Sequence, residues 1–230
     1  MSALPAALAA AVKGGGPGWA VFDADGTLWR EDVGEAFLRH LVHLGWVALP
    51  DGRDPYQAYE EAVARDRAGG YAYAAQLTAG LLAAQVQAEA QRFAAHWIHP
   101  RLITETQALL ALCRDAGLGC AVVSASQIDI VRAAVPHAGI SWERCAGMST
   151  RVDEAGRYTD ALVEPLTYAE GKVAMAASRG WHPLQVAGGD SHTGDLALLA
   201  AARVAVVVAS SAETPLALEA ARRGWIVLAY

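Results

Sequence analysis

The most informative stretch of this chain is WAVFDADGTL, residues 19–28. It begins with four apolar residues, then changes abruptly to a carboxylate, Asp23, followed two residues later by Asp25 and then by Gly26. A short apolar run that ends in polar residues is typical of a buried strand, and a glycine lets the chain turn sharply after it. The stretch therefore predicts a strand with two carboxylates at its carboxyl end.

Similar apolar runs recur along the chain and alternate with segments of helical periodicity. Strands are expected over residues 19–22, 119–123, 184–187, 204–208 and 225–228, and helices over 1–12, 102–116, 128–135, 171–179, 195–202 and 215–223. This alternation favours an α/β fold with a Rossmann-like doubly wound parallel sheet and helices on both faces. Ligands bind beyond the carboxyl ends of such strands, so Asp23, Ser124 and Asp190 are expected on one rim.

A long segment between the first two strands breaks this alternation. Residues 33–98 are Ala-rich with helical spacing, and the pattern is interrupted at Pro50-Asp51-Gly52 and at Gly69-Gly70. Because no strand-like run competes there, we predict an insertion of several short helices. Farther along, residues 144–159 alternate around a turn at 153–156 and predict a β-hairpin.

Composition limits the class of partner. With 24 acidic and 18 basic residues the net charge is −6, which argues against a nucleic-acid partner and favours a small molecule. The hydrophobic share of 54% is enough for one core and a modest insertion. The three cysteines, Cys113, Cys120 and Cys145, have no metal-ligand spacing and fit a reducing compartment, and no segment is long and apolar enough for a membrane span. We therefore expect a cytoplasmic protein without a membrane partner.

Three further polar signals accompany the first stretch. Residues 188–195, GGDSHTGD, follow an apolar run and lead into a helix, Ser124 follows a strand, and Lys172 stands at the start of a helix. Each has an ordinary explanation: Asp195 as a helix cap, Asp190 as a turn residue, Ser124 as a cap and Lys172 as a solvated charge. Their order along the chain is more informative than any one of them.

Taken in order, these residues resemble the four motifs of the haloacid dehalogenase superfamily, and the resemblance extends over the whole chain. The motif positions are Asp23, Asp25 and Thr27 in the first, Ser124 in the second, Lys172 in the third, and Asp190 and Asp195 in the fourth. The helical insertion resembles the small cap of the phosphoserine phosphatase-like branch. It would divide the chain into a core, residues 1–32 and 100–230, and a cap, residues 33–99.

The resemblance implies a Mg²⁺-dependent phosphomonoester phosphatase. Asp23 would be the nucleophile that forms a phosphoaspartate, and Asp25 would be the general acid and base. The Asp23 side chain, the Asp25 backbone carbonyl and Asp190 would hold Mg²⁺, because oxygen ligands suit this ion. The phosphoryl group would be bound by Asp23, Thr27, Ser124 and Lys172, while Asp195 would orient the lysine or a metal-bound water.

Substrate specificity is expected in the loop after Leu28 and in the cap. Glu31, Asp32 and Glu35 could bind a cationic head, as a glutamate of this region does in phosphoserine and phosphorylcholine phosphatases, or they could cap the first cap helix. Tyrosines and a tryptophan could form an aromatic box for a quaternary ammonium, or belong to the cap core: Tyr56, Tyr59, Tyr71, Tyr73 and Trp29. The sequence Ser124-Ala125-Ser126 departs from the Ser-Gly-Gly usual in phosphoserine phosphatases, and no cap arginine can be matched, so phosphoserine is disfavoured.

Two other classes use a similar set of residues. A receiver-like signalling module also has acidic residues, a phosphorylatable aspartate and a lysine, and a non-hydrolytic phosphate-binding protein could keep the fold. A receiver needs neither Asp25 nor a long cap, and the complete set of Asp23, Asp25, Lys172 and Asp190 argues against loss of catalysis. Halide-releasing relatives lack the second aspartate of the first motif, so Asp25 favours a phosphatase acting on a small phosphorylated metabolite.

Overall fold

The computed structural model describes residues 4–230, and its centre is a parallel sheet. Six strands lie in the order β3-β2-β1-β6-β7-β8, and β4 pairs with β5 in a separate antiparallel pair. The strands are β1 (Trp19–Phe22), β2 (Gly119–Gln127), β3 (Cys145–Met148), β4 (Thr150–Val152), β5 (Tyr158–Leu162), β6 (Leu184–Gly189), β7 (Val204–Ala209) and β8 (Ile226–Ala229). The doubly wound parallel sheet expected from the sequence is confirmed.

Helices cover both faces of this sheet. They are α1 (Ala6–Lys13), α2 (Val33–His43), α3 (Pro55–Arg65), α4 (Arg67–Gln76), α5 (Ala83–Trp97), α6 (Thr104–Asp115), α7 (Ile128–Ala134), α8 (Glu170–Ser178), α9 (Leu196–Ala200) and α10 (Pro215–Arg223). Neighbouring strand residues contribute to opposite cores: Phe22 to one hydrophobic cluster and Val21 to the other. Side chains alternate between the faces of a strand, so a strand buried on both faces reads as a continuous apolar run.

The strand register brings three carboxyl ends together. Val21 of β1 lies opposite Ala121 of β2 on one side and Ala187 of β6 on the other. Because all three strands are parallel, the residues that follow them share one edge of the sheet. The strand order reverses at β1, which creates the crevice where ligands bind in folds of this type.

The inserted helices α2 to α5 fill the segment predicted to be helical, although its division from the core as a separate domain stays a prediction. The expected interruption at Gly69-Gly70 is wrong, because α4 begins at Arg67 and continues through both glycines. The break lies instead at Asp66, whose side chain accepts hydrogen bonds from the backbone N–H groups of Ala68 and Gly69. Gly70 has a packing function, since a Cβ there would lie 2.5 Å from the Cα of Val63 in α3.

Three other predicted elements have different bounds. The segment 144–159 is not one hairpin: β3 at its start pairs in parallel with β2, and the hairpin is formed by β4 and β5, with Val152 opposite Tyr158. Strand β2 continues to Gln127, so Ser124 lies within it and not at its end. The helix expected over 1–12 is observed as α1, with Leu8 and Val12 buried in the core, and residues 1–3 lie outside the described part.

None of the helices in residues 4–230 combines the length and the apolar character needed to cross a membrane.

Candidate active site

Asp23 and Asp25 lie where β1 ends, and the turn after them depends on a glycine. Gly26 has a φ of 71°, in the left-handed region, and a Cβ at this position would lie 2.1 Å from Oδ2 of Asp190. Both backbone conformation and space therefore require glycine here. The turn brings the carboxylates that follow β1 against the carboxylate that follows β6.

Lys172 is buried between two of these carboxylates. Its Nζ donates to Oδ1 of Asp23 at 2.5 Å and to Oδ1 of Asp195 at 2.6 Å, and only 2% of the residue is exposed. Burial, together with the negative charge of Asp195, raises the pKa of Asp23 to about 7, although Lys172 opposes the shift. Burial would lower the pKa of Lys172, but Asp195 and Asp23 outweigh that effect and raise it, so the lysine stays charged.

Asp195 is an anchor within the site. Its Oδ2 accepts hydrogen bonds from the backbone N–H groups of Asp190 and Ser191, at 3.1 and 2.9 Å, while its Oδ1 accepts from Lys172. It precedes α9, but its side chain makes no capping hydrogen bond to that helix. The alternative that Asp195 is merely a helix cap is therefore wrong, because both carboxylate oxygens are used to shape the loop and hold the lysine.

Asp190 is the carboxylate best suited to a metal ion. Carboxylate oxygens of Asp23, Asp190 and Asp195 lie within 4.8 Å of one another. Among residues 4–230, no side chain or backbone group donates to the Asp190 carboxylate, and its burial, with the charges of Asp23 and Asp195, raises its pKa to about 9. Both oxygens of Asp195 and Oδ1 of Asp23 already accept hydrogen bonds, so Oδ2 of Asp23 and the Asp190 carboxylate are the oxygens left to bind a cation. Such a set suits a hard divalent cation such as Mg²⁺.

Asp25 is held by hydrogen bonds on both of its oxygens. Oδ1 accepts from the indole Nε1 of Trp29 and from the backbone N–H of Val33, each at 2.7 Å. Oδ2 accepts from the hydroxyl of Ser126 at 2.7 Å and, more weakly, from that of Ser124 at 3.5 Å. Burial raises the pKa of Asp25, and these donors act against the rise. The carboxyl group is therefore fixed in orientation beside Asp23.

The two remaining predicted phosphate contacts have different positions. Ser124 lines the cavity in front of Asp23, and its Oγ also accepts the backbone N–H of Ser126 at 3.1 Å. Thr27 is fully buried, does not line that cavity, and its Oγ1 has no hydrogen-bond partner among the described residues. The structure therefore brings Ser124 and Lys172 to the site but leaves the Thr27 side chain behind it.

The cavity at these residues has a volume of about 410 Å³. Its outer wall includes two of the predicted specificity acids and three tyrosines: Glu31, Asp32, Tyr71, Tyr168 and Tyr230. Tyr168 and Tyr230 were not predicted from the sequence, since neither lies in a motif. Ser126 was noted only as a departure from the family pattern, although its position two residues after Ser124 on one strand was a usable signal.

The three predicted acids have different surroundings. Asp32 lines the cavity and also caps α2, because its Oδ1 accepts the backbone N–H of Glu35 at 2.8 Å. Glu31 lines the cavity with a left-handed φ of 67° and is paired with Arg101 at 3.1 Å. Glu35 does not line this cavity, because its carboxylate accepts hydrogen bonds from the tyrosine hydroxyls of α3. The capping role is therefore confirmed for Asp32, whose place at the cavity leaves binding of a cationic head as a prediction.

The proposed aromatic box is largely absent from the cavity wall. Trp29 is fully buried against Asp25, and Tyr56 and Tyr59 are buried with their hydroxyls on Glu35. Of the five predicted aromatic residues, Tyr71 alone is among the lining residues of the cavity. Its ring centroid lies 5.5 Å from that of Tyr168, so an aromatic pair joins the inserted helix α4 to the core loop before α8.

The sequence matches one protein-family model. The model for haloacid dehalogenase-like hydrolases matches residues 20–200, which include all of the motif residues described above. No curated protein sequence matches the chain significantly.

Several solved structures share the fold. A protein of unknown function from Bordetella pertussis Tohama I superposes with a TM-score of 0.77 at 22% identity, covering 91% of this chain and 97% of that one. A phosphoserine phosphohydrolase-like protein from Francisella tularensis subsp. tularensis SCHU S4 has a TM-score of 0.61 at 14% identity, with coverage of 92% and 94%. A substrate-bound phosphoserine phosphatase has a TM-score of 0.59 at 16% identity, with 94% of each chain covered. The fold is therefore phosphoserine phosphatase-like.

Proposed function

The chain belongs to the haloacid dehalogenase-like hydrolase family, and on that premise we propose that it is a Mg²⁺-dependent phosphatase that forms a phosphoaspartate on Asp23. One observation carries the proposal: Lys172 bonds both Asp23 and Asp195 at the base of a cavity that Asp25 and Asp190 also line. The groups needed for the reaction are thus together: the proposed nucleophile, the proposed acid and base, a cationic lysine and a carboxylate without a hydrogen-bond donor among the described residues.

The nucleophile is Asp23, which lines the cavity while Lys172 holds one of its oxygens. Its attack forms a bond from a carboxylate oxygen to phosphorus, and the bond from phosphorus to the leaving oxygen breaks. Lys172 and Ser124 stabilise the equatorial phosphoryl oxygens, on which negative charge is concentrated. Lys172 also orients Asp23, because its second bond to Asp195 fixes the position of the ammonium group.

The proton transfers belong to Asp25. Its carboxyl gives a proton to the leaving oxygen as the phosphoaspartate forms, and then accepts one from the water that hydrolyses this intermediate. The three close donors around Asp25, each at 2.7 Å, keep the carboxyl in one orientation through both steps. The hydroxyl of Ser124, at 3.5 Å, is left to donate to the phosphoryl group.

The residues that would hold Mg²⁺ are Asp23 and Asp190, with the backbone carbonyl of Asp25. The bound ion would neutralise part of the charge that otherwise keeps an anionic phosphomonoester away from carboxylates. The chain itself supplies one buried lysine against Asp23, Asp25, Asp190 and Asp195, so a further cation suits the balance of charge.

The first test of this function is phosphate release with Mg²⁺ from a panel of phosphorylated metabolites. The matched variants are Asp23→Asn, which removes the nucleophile, and Asp115→Asn, which removes an exposed carboxylate just before β2. We expect turnover and acid-stable ³²P labelling of the protein in the unchanged chain and in Asp115→Asn, and neither in Asp23→Asn. Turnover that survives in Asp23→Asn would reject the phosphoaspartate.

We further propose that the substrate is a small phosphomonoester with a cationic head. Support comes from Asp32, which is half-buried at the cavity wall, and from Tyr71 and Tyr168, which line the same cavity. Burial, together with the nearby Asp25 charge, raises the pKa of Asp32 well above its usual range, as expected for a carboxylate that lacks a cationic partner. A quaternary ammonium would be such a partner: its charge would favour the ionised form of Asp32, and the two tyrosine rings would add cation–π attraction.

The test of the head group compares phosphocholine with 3,3-dimethylbutyl phosphate, an isostere in which an uncharged tert-butyl group replaces the trimethylammonium group. We expect kcat/KM to be about tenfold or more higher for phosphocholine, because cation–π and charge attraction act on one substrate alone. In Asp32→Asn, which keeps a capping oxygen for α2, the preference for phosphocholine should shrink while turnover of 3,3-dimethylbutyl phosphate persists. Equal kcat/KM values in the unchanged protein would reject a cationic head.

A further inference from the structure

Ser126 makes a contact that the motif residues do not require. It lies on β2 two residues after Ser124, is 8% exposed, and donates its hydroxyl to Oδ2 of Asp25 at 2.7 Å. A hydroxyl of β2 thus bonds directly to the carboxyl group that follows β1.

This bond acts on the oxygen of Asp25 that is otherwise least restrained. Oδ1 is held by Trp29 and by the backbone of Val33, both at 2.7 Å, whereas the other donor to Oδ2, Ser124, lies 3.5 Å away. A carboxylate oxygen has two lone pairs, so Ser126 can occupy one and leave the other for a proton exchanged with the substrate. Without Ser126, the only hydrogen bond from the described residues to Oδ2 would be the long one from Ser124.

The helix that faces Ser126 is shaped to accommodate it. A Cβ on Gly34, the second residue of α2, would lie 2.4 Å from the Oγ of Ser126 and 2.7 Å from its Cβ. Gly34 does not have a left-handed φ, so the glycine is needed for space and not for backbone conformation. The serine and the glycine, 92 residues apart, therefore form a complementary pair.

We propose that Ser126 is a positioning residue that holds Oδ2 of Asp25 in line for proton transfer, and that Gly34 provides the space for its hydroxyl. Ser126 keeps its own proton throughout, since the proton that moves passes between Asp25 and the leaving oxygen or the attacking water. The inference rests on the proposed function, because it concerns the carboxyl assigned there as acid and base.

The test uses Ser126→Ala and Ser126→Gly with two substrates, an alkyl phosphate and an aryl phosphate. The alkyl leaving group needs a proton from Asp25, whereas the aryl leaving group needs little help. We expect kcat for the alkyl phosphate to fall about tenfold, a part of the ~10²–10⁴ that general acid–base catalysis contributes, with KM nearly unchanged. Formation of the phosphoenzyme from the aryl phosphate should fall much less.

A double-mutant cycle with Gly34→Ala separates this role from general damage to the fold. In the unchanged protein Gly34→Ala should displace the hydroxyl and reproduce the loss in kcat. In Ser126→Gly it should cost little more, because the two closest atoms are gone and the nearest atom left to the new Cβ is Oδ1 of Asp32, at 3.2 Å. Equal losses for both leaving groups, or additive effects in the cycle, would overturn the inference, as would an unchanged kcat in Ser126→Ala.

Asp25→Asn distinguishes failure of this inference from failure of the proposed function. If the unchanged protein hydrolyses phosphomonoesters and Asp25→Asn loses the alkyl substrate selectively, the acid and base assignment stands whatever Ser126 does. If no phosphomonoester is hydrolysed by the unchanged protein, the proposed function fails first and the inference fails with it.

Discussion

At the scale of single residues, the buried ammonium of Lys172 does two jobs. It lies between Asp23 and Asp195, and each of these carboxylates has its shortest charged contact with it. A buried charge without a partner costs several kcal/mol. Removing one member of such a group therefore destabilises the fold more than replacing the whole group by apolar residues would. The lysine that we propose as a phosphoryl ligand should therefore also stabilise the fold around it.

Replacing Lys172 by Met should lower the free energy of unfolding by about 3–5 kcal/mol, because two buried carboxylates lose their cation. Urea unfolding in metal-free buffer measures this. Adding Asp195→Asn should recover part of the loss, since it removes one of the two unpaired charges while the amide oxygen can still accept the backbone N–H groups of Asp190 and Ser191. If Lys172→Met unfolds at the same urea concentration as the unchanged protein, the lysine has no such structural role.

At the scale of elements, the starts of the inserted helices follow local rules. Three of them begin after an aspartate whose side chain accepts backbone N–H groups of the first turn: Asp32 for α2, Asp54 for α3 and Asp66 for α4. Such caps can be recognised from sequence alone, and they are better boundaries here than the glycine pair at 69–70. The prediction of a break at these glycines is wrong because Gly70 lies inside α4, where it permits close contact with α3. That constraint acts between two helices and is not visible in the local pattern.

Gly70→Ala tests that constraint. Alanine favours a helix by up to about 1 kcal/mol over glycine, yet its Cβ would lie 2.5 Å from the backbone N and Cα of Val63. We expect a net loss of about 1–3 kcal/mol in the free energy of unfolding, because α4 must move away from α3. Val63→Ala should not rescue the variant, as the closest atoms are backbone. A gain in stability on thermal unfolding would show that the two helices can separate without cost.

At the scale of the whole molecule, charge and topology meet at one edge of the sheet. The net charge is −6, and four aspartates converge where β1 and β6 end, with one lysine among them. A native state with excess buried negative charge is stabilised by any cation that binds it and not the unfolded chain. Binding of Mg²⁺ should therefore be visible in stability as well as in turnover.

Mg²⁺ at about 100 times its Kd should raise the free energy of unfolding by about 2.7 kcal/mol and the Tm accordingly. Asp190→Asn should abolish the shift, whereas Asp115→Asn, which makes the same change in net charge at an exposed site, should retain it. EDTA should remove turnover and Mg²⁺ restore it, with little recovery in Ca²⁺ because its coordination shell is larger and looser. If Mg²⁺ raises the Tm of the unchanged protein and of both variants equally, the cation does not bind at Asp190.

Most of the sheet, its covering helices and the shared edge of several motif residues could be predicted from local sequence patterns; β3 could not, since residues 144–159 were expected to form one hairpin. Apolar runs followed by polar residues specify buried parallel strands locally, and parallel strands bring their carboxyl ends to one edge, so Asp23, Ser124 and Asp190 could be assigned to one site without coordinates. Lys172 follows no strand, and only the family resemblance assigned it to that site. The alternation also set the fold class, because both faces of such a sheet must be covered by helices.

Which other side chains reach that site depends on tertiary packing. Tyr168 and Tyr230 line the cavity, whereas Glu35 and Thr27 do not, and nothing in their local patterns distinguishes the two groups. For Ser126, which also lines the cavity, the spacing from Ser124 on one strand is the only local signal. Their positions depend on how the inserted helices pack against the core. That packing is set by contacts such as Gly34 against Ser126 and Gly70 against Val63, between elements whose approach local periodicity does not specify.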